Sequence, residues 1–186
     1  NTFELNKDFI ANCFSFLLTL YLYERGFGPK AIPPLIHCHC IAVDPYFISS
    51  KFPAEARIIN LARDVNNQKA MWCAEKIRRK MVEFELERHT APTVAMMGLA
   101  FKPNIDDLRE SPAKLITSKV LQSCNNGNVM VVEPNITEHN VFKLTDYKVA
   151  YEKADIVVFL VNHKEFAELN YRDDVIVLDF CGTFKK

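Results

Sequence analysis

TVAMMGLAFKPNIDDLRESP, residues 93–112, is the stretch that decides the fold. A short apolar run ends at Gly98, a polar loop follows, and Ser111-Pro112 has the form of a helix cap followed by a first-turn proline. Strand, loop and helix start in that order make the first βα unit of an open α/β domain, and such folds place ligands where the strand ends.

Lys102 and Arg109 put an ammonium and a guanidinium beside the backbone N–H groups of a helix start, an arrangement suited to a diphosphate or a carboxylate. Asp106, Asp107 and Glu110 counter those charges and orient them. On spacing alone, a solvated loop whose ions pair among themselves fits equally well.

C-terminal to the loop, the pattern continues as an open parallel sheet. Val94–Met97 reads as the first strand, Pro112–Ser123 as the first helix, Asn125-Asn126-Gly127 as a turn and Val129–Val132 as the second strand. Tyr147–Ala154 is a connector or short helix. DIVVFLV at 155–161 and VIVLDF at 175–180 are apolar enough for strands buried on both faces. Glu133, at the end of its strand, either meets a ribose or forms an acidic surface turn next to Pro134.

N-terminal to the loop, residues 53–89 carry an apolar stripe through Ala56, Ile59, Ala62, Val65 or Asn66, Trp72, Ile77, Met81 and Phe84, which predicts one long helix. Asn1–Arg25 predicts another, closed near Gly26 and Gly28. Residues 29–44 read as a loop, with Pro33 and Pro34 barring a helix interior. If extended, His37-Cys38-His39-Cys40 places its histidines on one face and its cysteines on the other. Three readings stay open for that cluster: zinc ligands lacking the usual second pair, small buried residues with stray histidines, or a cysteine nucleophile at Cys40 with Asp44 four residues on.

The 186 residues allow one full core with a smaller unit beside it. Basic and acidic residues balance at 23 each, and no basic block stands out, which argues against a nucleic-acid partner. Six scattered cysteines suit reduced thiols in a cytoplasmic protein. The apolar run Phe9–Tyr23 is shorter than a spanning helix needs, so no membrane anchor is expected.

GLAFKPNIDDLRESPA at 98–113 resembles the signature of the nucleotide-sugar 6-dehydrogenases, the group that includes UDP-glucose and GDP-mannose dehydrogenases. HCIAVDP at 39–45, ARDVNNQK at 62–69, VVEPNI at 131–136 and LVNHKEF at 160–166 extend the likeness along nearly the whole chain. The strings look most like the branch acting on UDP-N-acetylmannosamine or UDP-N-acetylglucosamine.

The resemblance implies a partial central helical, dimerising domain at 1–91, with a long linking helix, and a Rossmann-like, UDP-sugar-binding domain at 92–186. It implies NAD-dependent oxidation of the C6 alcohol of a UDP-N-acetylhexosamine, UDP-N-acetylmannosamine foremost, to the uronate. Cys40 would form the thiohemiacetal and thioester, Asp44 would handle water and protons, and Asn1 would position the water or stabilise the oxyanion. His39, Lys102, Asp106 and Arg109 would bind substrate or cofactor, and the 53–89 helix would pair two copies in a homodimer.

Several departures point to an alternative, a noncatalytic or truncated UDP-sugar-binding and dimerising module. PPLIHCHC at 33–40 stands where the family has a glycine-rich loop, and Cys181 stands where it usually has a basic residue. The family's active-site lysine would precede Asn1, and the GxGxxG fingerprint of an NAD domain is absent from the sequence.

Overall fold

The computed structural model describes residues 39–124 and 128–184, with side chains from Pro45 onward. The helix expected over 1–25, the Asn125–Gly127 turn and Asn1 lie outside the described residues. The chain divides into two compact units between Lys69 and Ala70.

In the first unit, α1 runs His39–Lys51 and α2 begins at Arg57. The first helix corrects the reading of a loop over residues 39–44, because His39, Cys40 and Asp44 all lie on its backbone, while 29–38, with His37 and Cys38, lie outside the described residues. Pro45 sits inside it. Its ring fixes φ near the helical value but removes one backbone hydrogen bond and crowds the preceding turn, so the helix runs through it at a cost. The hydroxyls of Ser49 and Ser50 donate back to the carbonyls of Tyr46 and Phe47, at 3.3 and 3.0 Å. Arg63 lies over the Tyr46 ring and donates to its hydroxyl at 3.2 Å, tying the two helices of this unit together.

The long helix expected over 53–89 is α2, Arg57–Arg88, 32 residues. Its buried positions Ala62, Val65, Lys69, Cys73, Ile77 and Met81 recur at three and four as a stripe, with Ala70 and Ala74 beside it. Trp72 lies at the stripe's margin, edge-on to Phe180 at 6.2 Å between ring centroids, and the Met81 and Cys124 sulfurs are 3.6 Å apart. These contacts pack the C-terminal part of α2 onto the second unit, to which it belongs.

That unit is an α/β domain with four parallel strands: β1 Val94–Met97, β2 Val129–Val132, β3 Ile156–Phe159 and β4 Ile176–Asp179. The strand order is β2-β1-β3-β4, with Val94 opposite both Val129 and Ile156, and Ile156 opposite Ile176. All residues of β1 and β3 are buried, as expected for inner strands covered on both faces. The helices α3 Pro112–Ser123 and α4 Tyr147–Lys153 follow β1 and β2. β3 is shorter than the 155–161 apolar run that announces it, and beyond it Leu160 and Val161 both donate to the carbonyl of Met97, at 2.9 and 3.4 Å.

One side of the core gathers Ala95, Met97, Val157, Phe159 and Phe166 with Ala150, Tyr151 and Ala154 of the α4 region. Leu99, Val131 and Phe142 form a smaller cluster. Asp146 caps α4 by accepting the N–H groups of Lys148 and Val149. Ser111 caps α3, its hydroxyl accepting from Lys114 N–H at 3.4 Å and donating to the Ala100 carbonyl at 3.2 Å. The start of α3 is thereby fastened to the start of the loop. No helix among the described residues is long and apolar enough to cross a membrane.

Candidate nucleotide loop

Strand order reverses between β1 and β3, so the crevice at their C-terminal ends is where an open α/β sheet takes a ligand. β1 leads there into Gly98, at φ 97°, where a Cβ would lie 2.7 Å from the Cβ of Val161. Only glycine satisfies both that backbone conformation and that approach. Leu99 and Ala100 follow, and their N–H groups point to one acceptor.

That acceptor is Glu133, at the end of β2. Its Oε2 accepts from Leu99 and Ala100 at 2.8 Å each and lies 3.2 Å from His163 Nε2. Its Oε1 accepts the backbone and side-chain N–H groups of Asn135, at 3.1 and 3.2 Å. Both the Glu133 and His163 side chains are fully out of solvent. Burial pushes the Glu133 carboxyl upward, but the His163 hydrogen bond, with the Leu99 and Asn135 amides, outweighs it and lowers the pKa to about 2. Neither the ribose contact nor the surface turn read from the sequence is what this side chain does. It is an internal anion.

His163 extends the network. Its Nδ1 accepts the N–H of Asn104 at 3.0 Å and faces the Asn135 amide nitrogen at 2.9 Å. With two donors on Nδ1, the ring proton belongs on Nε2, toward Glu133. Asn104, in the left-handed region at φ 61°, returns its Oδ1 to Lys164 N–H at 2.9 Å. The loop is closed on itself by Phe101 N–H donating to the Asp107 carbonyl at 2.8 Å.

Three of the residues expected to bind ligand, Lys102, Asp106 and Arg109, lie on this loop and are exposed. Asp107 orients Arg109: Nε and Nη2 donate to its two carboxylate oxygens at 3.0 and 2.8 Å, while the Arg109 side chain stays 75% exposed. His39, Cys40 and Asp44 belong to the first unit, on α1, and Asn1 lies outside the described residues. Among the described residues no three His, Cys, Asp or Glu side chains cluster in a way that could hold a metal.

Cys181 sits in a tight terminal turn in which Asp179 accepts the N–H groups of Cys181, Gly182 and Phe184. Burial pushes the Cys181 thiol up to about 12, and the Asp179 carboxylate adds to the rise. His163, Asn104 and Asn135 are not among the expected site residues, although the strings GLAFKPNIDDLRESPA, VVEPNI and LVNHKEF each contain one of them. Their further sequence signal is position, in the segments that follow β1, β2 and β3 at the crevice.

The described domain does not fit the pyrophosphate of NAD at its first βα turn. The amides that would cradle it are held by Glu133, and Val161 covers Gly98.

Residues 95–186 match the UDP-binding domain of the UDP-glucose/GDP-mannose dehydrogenase family. The chain is 45% identical over 151 residues to a UDP-N-acetyl-D-mannosamine dehydrogenase of Campylobacter jejuni, covering 77% of this chain and 35% of that one. It is 40% identical over 141 residues to an NDP-N-acetyl-D-galactosaminuronic acid dehydrogenase of Ralstonia nicotianae, covering 74% and 32%. The chain thus spans about a third of the length of these relatives. The UDP-N-acetyl-mannosamine dehydrogenase of S. aureus shares the fold, with a TM-score of 0.60 at 23% identity over 91% of this chain and 47% of that one. A second such dehydrogenase, from Pyrococcus horikoshii, gives 0.59 at 22% over 94% and 48%.

Proposed function

We propose, for a chain that belongs to the UDP-glucose/GDP-mannose dehydrogenase family through the UDP-binding domain at residues 95–186, that this domain binds the nucleotide of a UDP-sugar on the outer side of the 98–111 loop. The observation that carries the reading is an exposed Arg109, held in a fixed plane by Asp107, on the same loop as an exposed Lys102. A guanidinium oriented on one edge is suited to a phosphate on the other, and the nearby ammonium adds charge without demanding geometry. UDP-N-acetylmannosamine is the sugar nucleotide to try first, given what the relatives act on.

No step through NAD is assigned to residues 95–186, whose first turn does not fit it. Thiol chemistry at Cys40, with Asp44, Asn1 and His39, is a separate proposal for residues 1–91. Homodimer formation through α2 is another, supported by Ile58, Leu61, Val82 and Leu86, large apolar side chains exposed along that helix.

Calorimetric titration of the chain with UDP and with UDP-N-acetylmannosamine tests the binding. Saturable binding that weakens about tenfold in both Lys102→Gln and Arg109→Gln is expected. Binding indifferent to both changes sinks the reading. NADH production that Cys40→Ser abolishes would bring the thiol route forward. Sedimentation with and without Leu86→Glu tests the dimer.

A further inference from the structure

Two successive N–H groups pointing from a strand end at a single oxygen make the cradle in which a nucleotide-binding βα turn takes a phosphate. Here the oxygen comes from the protein itself. Leu99 and Ala100 donate at 2.8 Å to the same carboxylate oxygen of Glu133, which arrives from the end of the neighbouring strand. No solvent reaches it, and Asn135 and His163 satisfy what the amides leave open.

His163 then ties this pair to the exposed part of the loop. It takes the Asn104 N–H on Nδ1, while the Asn104 side chain accepts from Lys164. A chain of hydrogen bonds thus runs from the amides of the first turn to the residue two positions after Lys102.

We propose that Glu133 is a built-in anion filling the phosphate cradle of the first βα turn, and that Glu133 and His163 are positioning residues that set the 99–104 backbone so that Lys102 meets a diphosphate from outside. This rests on the binding reading given above. A polyphosphate seeking the Leu99 and Ala100 amides would have to expel a buried carboxylate from five donors, so the cations on the rim are the accessible partners. The other charged groups on the loop are Asp106, Asp107, Arg109 and Glu110. Arg109 is anchored by Asp107 and does not depend on His163 for its orientation.

The test uses the full chain, with His163→Leu, which removes all three side-chain polar contacts, and His163→Gln, which keeps an acceptor and a donor. Two quantities are read under conditions where circular dichroism shows each variant folded: amide hydrogen exchange over 99–104, and UDP affinity by calorimetry. His163→Leu is expected to speed exchange at Phe101 and Asn104 by about tenfold and to weaken UDP by a similar factor, the scale of one lost hydrogen bond to a buried group. His163→Gln is expected to recover most of both.

Should His163→Leu not fold, Asn104→Gly severs only the link to Lys164 and keeps the positive φ; it is expected to produce smaller changes in the same direction. Unchanged exchange in these variants overturns the proposal. So does faster exchange with UDP affinity unmoved, which would make the network a matter of stability alone. If the unmodified chain does not bind UDP, the binding reading fails, and exchange still decides whether His163 sets the loop.

Discussion

Glu133 Oε2 and His163 Nε2 meet at 3.2 Å with both side chains wholly inside the protein. An acidic group in that position is tolerated because every neighbour donates to it. Its dependence on those donors makes its behaviour measurable.

The Glu133 carboxyl stands at about 2 in the folded chain against an ordinary 4.5. Depression of a carboxyl on folding contributes stability that is present above the ordinary value and is lost as pH falls through the folded one. Thermal midpoints should therefore drop between about pH 4.5 and pH 2. The difference is on the order of 3 kcal/mol, at about 1.4 kcal/mol per tenfold change in proton affinity. Glu133→Gln should be less stable at neutral pH and flatter across that acid range, and a parallel pH curve for the two proteins would contradict the assignment.

Gly98→Ala combines a strained φ with a Cβ only 2.7 Å from that of Val161. A loss of about 3 kcal/mol in urea denaturation is expected. Val161→Ala should not rescue it, since the closest atom is a Cβ that alanine retains.

Ser111→Ala removes the cap of α3 and the donor to the Ala100 carbonyl together. The cost should be about 1 kcal/mol by the same measurement. Ser111→Asp, which accepts from the helix but cannot donate when ionised, should fall between the two.

Asp107→Asn removes one charged arm of the bidentate hold on Arg109 while leaving its backbone carbonyl on Phe101 N–H. UDP affinity is expected to weaken by about three- to tenfold through lost orientation. Unchanged or tighter binding would mean that Asp107 acts as a competing negative charge.

Cys181, with its thiol pushed up to about 12, should resist iodoacetamide at pH 8 in the folded chain and react in urea, as peptide mapping would show. Rapid labelling of the native protein at Cys181 would contradict the raised thiol.

Much of the fold is legible in local pattern. Met96 and Val158 lie in uniformly apolar runs that suit only inner strands of a covered sheet, and β1, β2 and α3 have the bounds their sequence signals imply. Ser111-Pro112 announces a helix start because a cap and a first-turn proline act within one turn of themselves. Residues 39–44 escaped that logic. Nearby prolines argue for an extended path, yet a single proline inside α1 deletes one hydrogen bond and leaves the helix intact.

Charge pattern alone left the site ambiguous. Lys102 and Arg109 were visible as cations, but whether Asp106, Asp107 or Glu110 held Arg109 depended on the turn the loop makes. The φ values at Asn104 and Glu110 define that turn, and neither is a glycine that would have marked it.

The sequence by itself determined where β1 to β4, α2 and α3 form, that the sheet is parallel and covered, and which family signature the first loop carries, because each of these is written in neighbouring residues. Only the tertiary structure decided that Glu133 faces inward. Its partners Leu99, Ala100 and His163 lie 34, 33 and 30 residues away and reach it through the order of parallel strands. A carboxylate is driven to solvent unless donors converge on it, and convergence from three separate strand ends is a property of the assembled sheet.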